Sequence, residues 1–156
     1  MPFSPMAKKK LILEQDDSVG FSLLAISSTL KDYKLTFHLN KLFNINLRKI
    51  EDFQPILQDQ TYPFYLHDRE SSPYRISLLK TKNSGNMLLK GLKQADYLFI
   101  VHYDLPAGQL KDYLKKIKTI PNVMTSYEIK TGENKLLAQL LNDLEIHILE
   151  NDKMAG

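Results

Sequence analysis

The sequence contains no cysteine among its 156 residues. This absence excludes disulfide bonds, thiolate metal ligands and cysteine nucleophiles, and it suits a reducing compartment. Only six glycines are present, and they form no P-loop, nucleophile elbow or dinucleotide-binding pattern. A glycine-rich loop that cradles phosphate is therefore not expected.

The sequence also lacks a long apolar run. No stretch approaches the roughly 20 apolar residues that span a membrane, and the run 11–13 is too short for the core of a signal peptide. The 21 lysines and arginines nearly balance the 18 aspartates and glutamates, which is a mixed surface rather than a polycation. We therefore predict a cytoplasmic protein with no membrane partner, for which nucleic acid is possible but not indicated.

Length and composition predict one domain. A hydrophobic content of 43% is enough for a substantial core. We expect a single α+β domain over residues 9–150, a flexible leader over 1–8 and a flexible tail over 151–156.

Residues 94–129 carry the clearest structural signal. The run 96–103 is rich in aromatic and β-branched residues, which predicts a central strand covered on both faces. An amphipathic helix follows and ends at Pro121, and residues 123–129 then alternate as a half-buried strand does. The apolar positions of this helix are Leu110, Tyr113, Leu114, Ile117 and Ile120.

The preceding part of the chain predicts a strand over 21–26 and then a helix. Thr29 is expected to cap this helix, with Asp32 at the reciprocal capping-box position and Asn44 as the C-terminal stop. The alternation of apolar residues between 33 and 39 also fits a strand, but the capping signals favour the helix.

Further elements are weaker. We predict strands over 8–14 and near 45–50, a hairpin over 64–68 and 74–79, and a flexible loop over 81–86. A further amphipathic helix is predicted over the leucine-rich tail. Residues 145–149 either continue this helix or add a strand. The element order predicts ferredoxin-like, split βαβ layering, with a mixed or antiparallel sheet and helices mainly on one face.

Two segments of the chain resemble the IPExxxVDY family, a bacterial group of small proteins with no established activity. The resemblance spans most of residues 21–129. Its markers are Leu30-Lys31-Asp32-Tyr33, Leu39-Asn40-Lys41, Gln94-Ala95-Asp96-Tyr97 and Ile120-Pro121. In the motif that names the family, Asn122 replaces glutamate, and Ser126-Tyr127-Glu128 replaces Val-Asp-Tyr. The resemblance implies a fold and a compartment, and it carries over no functional residue.

His102 and Asp104 are the strongest candidates for catalysis. Both follow the central strand, and alternation places them on the same side of it. A histidine held by a carboxylate can act as a base or a metal ligand. Asp104 also precedes Leu105-Pro106, where it would serve as a helix cap. His67 and Asp68 form a second acid and imidazole pair, which we interpret as a surface turn.

Lysines recur on the predicted helix that follows Thr29 and on the predicted helix that ends at Pro121. Lys111, Lys115 and Lys118 lie opposite an apolar stripe, and the first helix region is also basic. If both helices share one face of the sheet, their outer surfaces would form a basic patch able to neutralise phosphates. The alternative is an ordinary solvated lysine face. The candidate binding residues are Tyr33, Lys34, Lys41, Arg48, His102, Lys111, Lys115 and Lys118.

The leucine stripe of the tail has two interpretations. It either packs on the chain's own sheet as a third core helix or buries its leucines in a second chain. The stripe consists of Leu136, Leu137, Leu140, Leu141 and Leu144.

Three functions follow from these features. We expect a non-catalytic interaction module without metal or cofactor, forming a homodimer or binding a protein partner. RNA or nucleotide binding through the lysine faces is the alternative, and an enzyme using His102 and Asp104 is the third hypothesis.

Overall fold

The computed structural model describes residues 20–68, 74–89, 91, 94–130 and 135–155, with side chains described up to residue 151. The predicted leader 1–8, the predicted strand 8–14 and the hairpin tip 69–73 lie outside these residues.

The described residues form eight strands and three helices. The strands are β1 (Ser22–Ser28), β2 (Arg48–Lys49), β3 (Phe64–His67), β4 (Ile76–Lys80), β5 (Lys82–Asn83), β6 (Asn86–Met87), β7 (Tyr97–Val101) and β8 (Val123–Ile129). The helices are α1 (Asp32–Phe43), α2 (Ala107–Lys118) and α3 (Lys135–Ala155). Helix α3 runs through 145–149 and extends into the range 151–156, where the sequence predicts a tail.

Six strands form one sheet in the order β2-β3-β4-β7-β1-β8, and every neighbouring pair is antiparallel. The α+β class and the hairpin of β3 with β4 are therefore confirmed, and of the two predicted sheet types, mixed and antiparallel, the structure has the antiparallel one. Strand β7 lies inside the sheet and all five of its residues are buried, as the composition of 96–103 predicts.

The sheet has an apolar core on each face. In β1, Leu24 and Ile26 pack with α1 and α2, whereas Leu23 and Ala25 pack with α3. This division follows from the alternation of side chains along a strand. The continuous apolar sequence of β1 is thus explained by burial on both sides. Helices α1 and α2 share one face, and α3, the longest of the three described helices, covers the other.

Helix α1 ends as predicted but begins differently. Asn44 adopts a left-handed conformation with φ of 55°, which asparagine tolerates well at a helix C-terminus. The predicted Thr29 cap is wrong, because Lys31 occupies the N-cap position and no side chain caps the helix. Asp32 instead accepts a hydrogen bond of 2.7 Å from the Tyr65 hydroxyl of β3.

Residues 81–86, predicted as a flexible loop, form the small hairpin of β5 and β6. Ser84 and Gly85 both have positive φ, 52° and 83°, which is the geometry of a tight type I′ hairpin turn. Lys82 forms an ion pair of 2.9 Å with Asp96, so this hairpin is tied to the strand that follows it.

Candidate functional site

An open groove of about 590 Å³ runs along α1 on the outside of the molecule. We call it the α1 groove, and it is lined by Leu30, Tyr33, Lys34, Phe37, His38, Pro121 and Asn122. Tyr33 and Phe37 are 58% and 57% exposed, although both are large aromatic side chains. They lie one helical turn apart, so their rings occupy neighbouring positions on the solvent side of α1.

The walls of the α1 groove are held by specific contacts. Leu35 and Leu39 are fully buried against the sheet and fix the rotation of α1. On the other wall, Asn122 has a φ of 69°. Its carbonyl accepts hydrogen bonds from the Ser28 hydroxyl (2.8 Å) and from the backbone N–H of Thr29 (3.3 Å). The turn after α2 is therefore tied to the segment that leads into α1.

Five lysines surround this side of the molecule. We call them the lysine layer: Lys34, Lys41, Lys111, Lys115 and Lys118, all exposed. They belong to α1 and α2, which pack on the same face of the sheet. Within the described residues none of the five forms an ion pair, whereas the neighbouring Lys116 lies 3.2 Å from Asp112. The geometric condition for the predicted basic patch is met.

Two predicted binding residues lie elsewhere. Arg48 is opposite Leu66 across the β2–β3 pair, and Leu66 packs in the core on the α3 side, so Arg48 faces away from α1. His102 follows β7 and its side chain is only 8% exposed. Neither residue joins the lysine layer, because strand alternation directs both toward the α3 side of the sheet.

His102 belongs to a group that we call the polar cluster: Ser77, which is fully buried, His102, and Glu145, whose side chain is 32% exposed. The Ser77 hydroxyl and His102 Nε2 are 2.8 Å apart, and His102 Nδ1 lies 3.3 Å from a Glu145 carboxylate oxygen. The second contact is close enough for an ion pair but lacks the alignment of a good hydrogen bond. These distances fit a neutral imidazole that carries its proton on Nδ1 and accepts from Ser77.

The predicted pairing of His102 with Asp104 is wrong, because the carboxylate beside the imidazole comes from α3. Asp104 is exposed, and it does not cap α2 either, since Pro106 occupies the N-cap position without a side-chain cap. Burial lowers the pKa of His102, an effect that the Glu145 carboxylate opposes. The contact with His102 lowers the pKa of Glu145. Glu145 is thus kept ionised beside a neutral imidazole.

The polar cluster has the serine, histidine and acid order of a hydrolase triad, but it is closed. Ser77 has no exposed surface, and the Phe21 ring packs edge-on against the imidazole, 5.2 Å between centroids. A substrate carbonyl has no path to the Ser77 hydroxyl. The cluster therefore connects α3 to β4 and to the end of β7, and it fixes how α3 sits on the sheet.

Four of the five tail leucines are buried within the chain: Leu137, Leu140, Leu141 and Leu144. They pack in the core between α3 and the sheet, which is the third-helix alternative. Leu136 is 67% exposed and lies at the start of α3. A partner surface made of the four buried leucines is not compatible with this packing.

Other predicted side chains are already engaged. Tyr103 stacks on Tyr74 with ring centroids 4.6 Å apart, and Tyr113 lies at the same distance from Phe43. His67 is buried rather than in a surface turn, and its Nδ1 accepts a hydrogen bond from the backbone N–H of Asn46. Of Tyr33, Tyr103 and Tyr113, only Tyr33 has more than half of its surface exposed.

No family model, curated protein or solved structure matches the chain. Among the described residues, no helix has both the length and the apolar character that crossing a membrane requires. The same residues contain no group of three or more histidine, aspartate or glutamate side chains placed to hold a metal ion.

Proposed function

We propose that the protein acts in the cytoplasm by binding a partner rather than by catalysis, and that the α1 groove is its binding surface. The observation that carries the proposal is the pair of exposed rings, Tyr33 and Phe37, in an open groove. Aromatic side chains are enriched at the surfaces where proteins bind partners. Elsewhere in a folded protein their rings are usually buried. The buried positions of Ser77 and of the His102 side chain argue against the third hypothesis, an enzyme using His102.

The α+β class of the fold can be specified further. We propose that β1-α1-β4-β7-α2-β8 is a ferredoxin-like core, extended by β2 and β3 at one edge and by α3 on the second face. The order β8-β1-β7-β4 within the sheet supports it, because a split βαβ unit inserts one strand between the two that its first helix connects.

We also propose that the chain is a divergent member of the IPExxxVDY family. Several markers of the resemblance hold the fold together. Asn40 pairs with both backbone groups of Leu47 (2.8 and 3.3 Å), and Asp96 accepts from the Ser28 N–H (2.9 Å). Tyr97 donates to the Leu30 carbonyl at 2.6 Å. These three markers, Asn40, Asp96 and Tyr97, thus act as structural residues, which is consistent with a shared fold.

Photocrosslinking in cells tests the binding surface. A benzophenone amino acid in place of Phe37 is expected to give a defined adduct with a macromolecule. The matched control places the same group at Leu149, which is similarly exposed (55%) but lies on α3. No adduct from position 37, or the same adducts from both positions, would reject the α1 groove as the binding surface.

Self-association through a sheet edge stays a prediction, supported by the position of β8. Strand β8 is the last strand of the sheet and pairs with β1 on one side only among the described residues. An unpaired edge of seven residues can add a strand from a second copy. Sedimentation velocity over a range of concentrations is expected to show a dimer, and a monomer throughout would exclude one.

A further inference from the structure

We infer that the α1 groove and the lysine layer bind single-stranded nucleic acid, with bases stacked on Tyr33 and Phe37 and phosphates held by the lysines. This inference rests on the proposed function, because it names the ligand of the same surface. It goes further in specifying which residues contact bases and which contact the backbone.

The two faces of the sheet differ in charge. Helices α1 and α2 carry six lysines against two aspartates, whereas residues 135–151 of α3 carry one lysine against three carboxylates. The small net charge of the chain therefore hides a strong difference between the two faces. The lysine layer has no ion pairs with described carboxylates, so its charges are free to neutralise phosphates and release their counterions.

The exposed rings of Tyr33 and Phe37 lie beside two lysines of the layer. Lys34 lines the same groove, and the Lys41 ammonium lies 5.1 Å from the centroid of the Phe37 ring. Exposed aromatic rings beside lysines stack on bases that are not already stacked in a duplex. A lysine surface that contacts only phosphates would bind double-stranded and single-stranded nucleic acid equally. The rings therefore favour a single strand.

Helices cover both faces of the sheet. Many proteins with this kind of layering stack bases on an open sheet face, but here α1 and α2 cover one face and α3 covers the other. Stacking must therefore use a helix surface. His38 and the Asn122 amide line the same groove and provide hydrogen-bonding groups for base edges.

Fluorescence anisotropy with labelled oligouridylate and oligothymidylate, each of about 12 nucleotides, tests the inference on the full chain. Affinity is expected to fall roughly 50- to 130-fold between about 50 and 200 mM salt if four or five phosphates are neutralised. Tighter binding of either probe identifies RNA or DNA as the ligand. Failure to bind both at low salt overturns the inference.

Matched variants separate phosphate contacts from general charge. The double variant Lys34→Gln, Lys118→Gln is expected to reduce the salt slope by about 1.4, at about 0.7 for each phosphate contact. The control Arg48→Gln, Lys135→Gln removes the same charge from the α3 side of the sheet, and it is expected to keep the slope. Equal effects of the two double variants would show nonspecific attraction and contradict the site.

A second set tests stacking. Tyr33→Ala is expected to weaken binding about 5- to 150-fold, as loss of one stacked base does, while Tyr33→Phe retains the affinity. Because Tyr33 is exposed, circular dichroism of both variants should match the original protein. Unchanged affinity of Tyr33→Ala would contradict base stacking. If the oligonucleotides do not bind and position 37 crosslinks to a protein, this inference fails while the proposed function stands.

Discussion

Leu144→Ala is expected to lower the free energy of unfolding by about 2–5 kcal/mol, the usual cost of truncating a buried leucine. Leu144 is 2% exposed and packs between α3 and the sheet, so the substitution removes apolar contacts and leaves a cavity. Denaturant unfolding monitored by tyrosine fluorescence measures the change.

Leu136→Ala is the matched control for this prediction. It removes the same atoms from the same helix, but Leu136 is 67% exposed, and the expected change is within about 0.5 kcal/mol. The pair also separates the two interpretations of the tail. If Leu144→Ala changed the oligomeric state and left the unfolding energy of the monomer intact, the leucines would pack on a second chain instead of the sheet.

Glu145→Ala is expected to destabilise the protein by about 1–3 kcal/mol, because it leaves the buried His102 imidazole without its acidic neighbour. The His102 imidazole is itself expected to titrate below the ordinary histidine pKa. Burial lowers this pKa more than Glu145 raises it, and Arg75 lowers it further. NMR titration of the imidazole measures the pKa, with His102→Gln identifying the resonance.

The sign of the pH dependence follows from these directions. The unfolded chain takes up a proton on His102 near pH 6.5, whereas the folded chain does so only at lower pH. Stability is therefore fully present above about pH 6.5 and is lost as the pH falls toward the folded pKa. The pKa of Glu145 is also lowered. Protonation of its carboxylate therefore causes a further loss of folding stability at more acidic pH.

Two variants test this account of the polar cluster. Glu145→Gln removes the carboxylate that raises the pKa of His102, so the imidazole should titrate at still lower pH. His102→Gln keeps hydrogen-bonding capacity without the titration, and it should flatten the loss of stability between pH 7 and 5. An imidazole that titrates at or above 6.5, or that moves upward in Glu145→Gln, would contradict the dominance of burial.

The sequence predicts most of the elements because their signals are local. The apolar alternation of β8, the stripe of α2 and the stop at Asn44 depend on residues that are close along the chain. The capping roles predicted for Thr29 and Asp104 are wrong, although both residues suit that position. Asp32, the predicted partner of Thr29, instead accepts from Tyr65 of a distant strand, and such a tertiary contact leaves no mark near the helix.

The candidate site was harder to predict because exposure is a property of the packed chain. Tyr33 and Phe37 alternate with Leu35 in the sequence and look equally apolar, yet Leu35 is fully buried while both rings are exposed. The polar cluster joins residues from β4, the end of β7 and α3, and no spacing rule connects them. A sequence pattern shows which face of a helix is apolar. The order of the strands in the sheet decides which elements that face contacts.

The place of β1 in the sheet also sets an order for assembly. Ser22 pairs with Val101 and Leu23 pairs with Ile129, so both neighbours of the first described strand come from much later in the chain. During synthesis β1 has no strand partner among the described residues until β7 has emerged, whereas β3 and β4 can pair as soon as both are made. Long-range pairing of this kind slows folding. The nascent chain therefore carries an unpaired apolar strand until β7 is made, which makes β1 a segment that needs protection from aggregation.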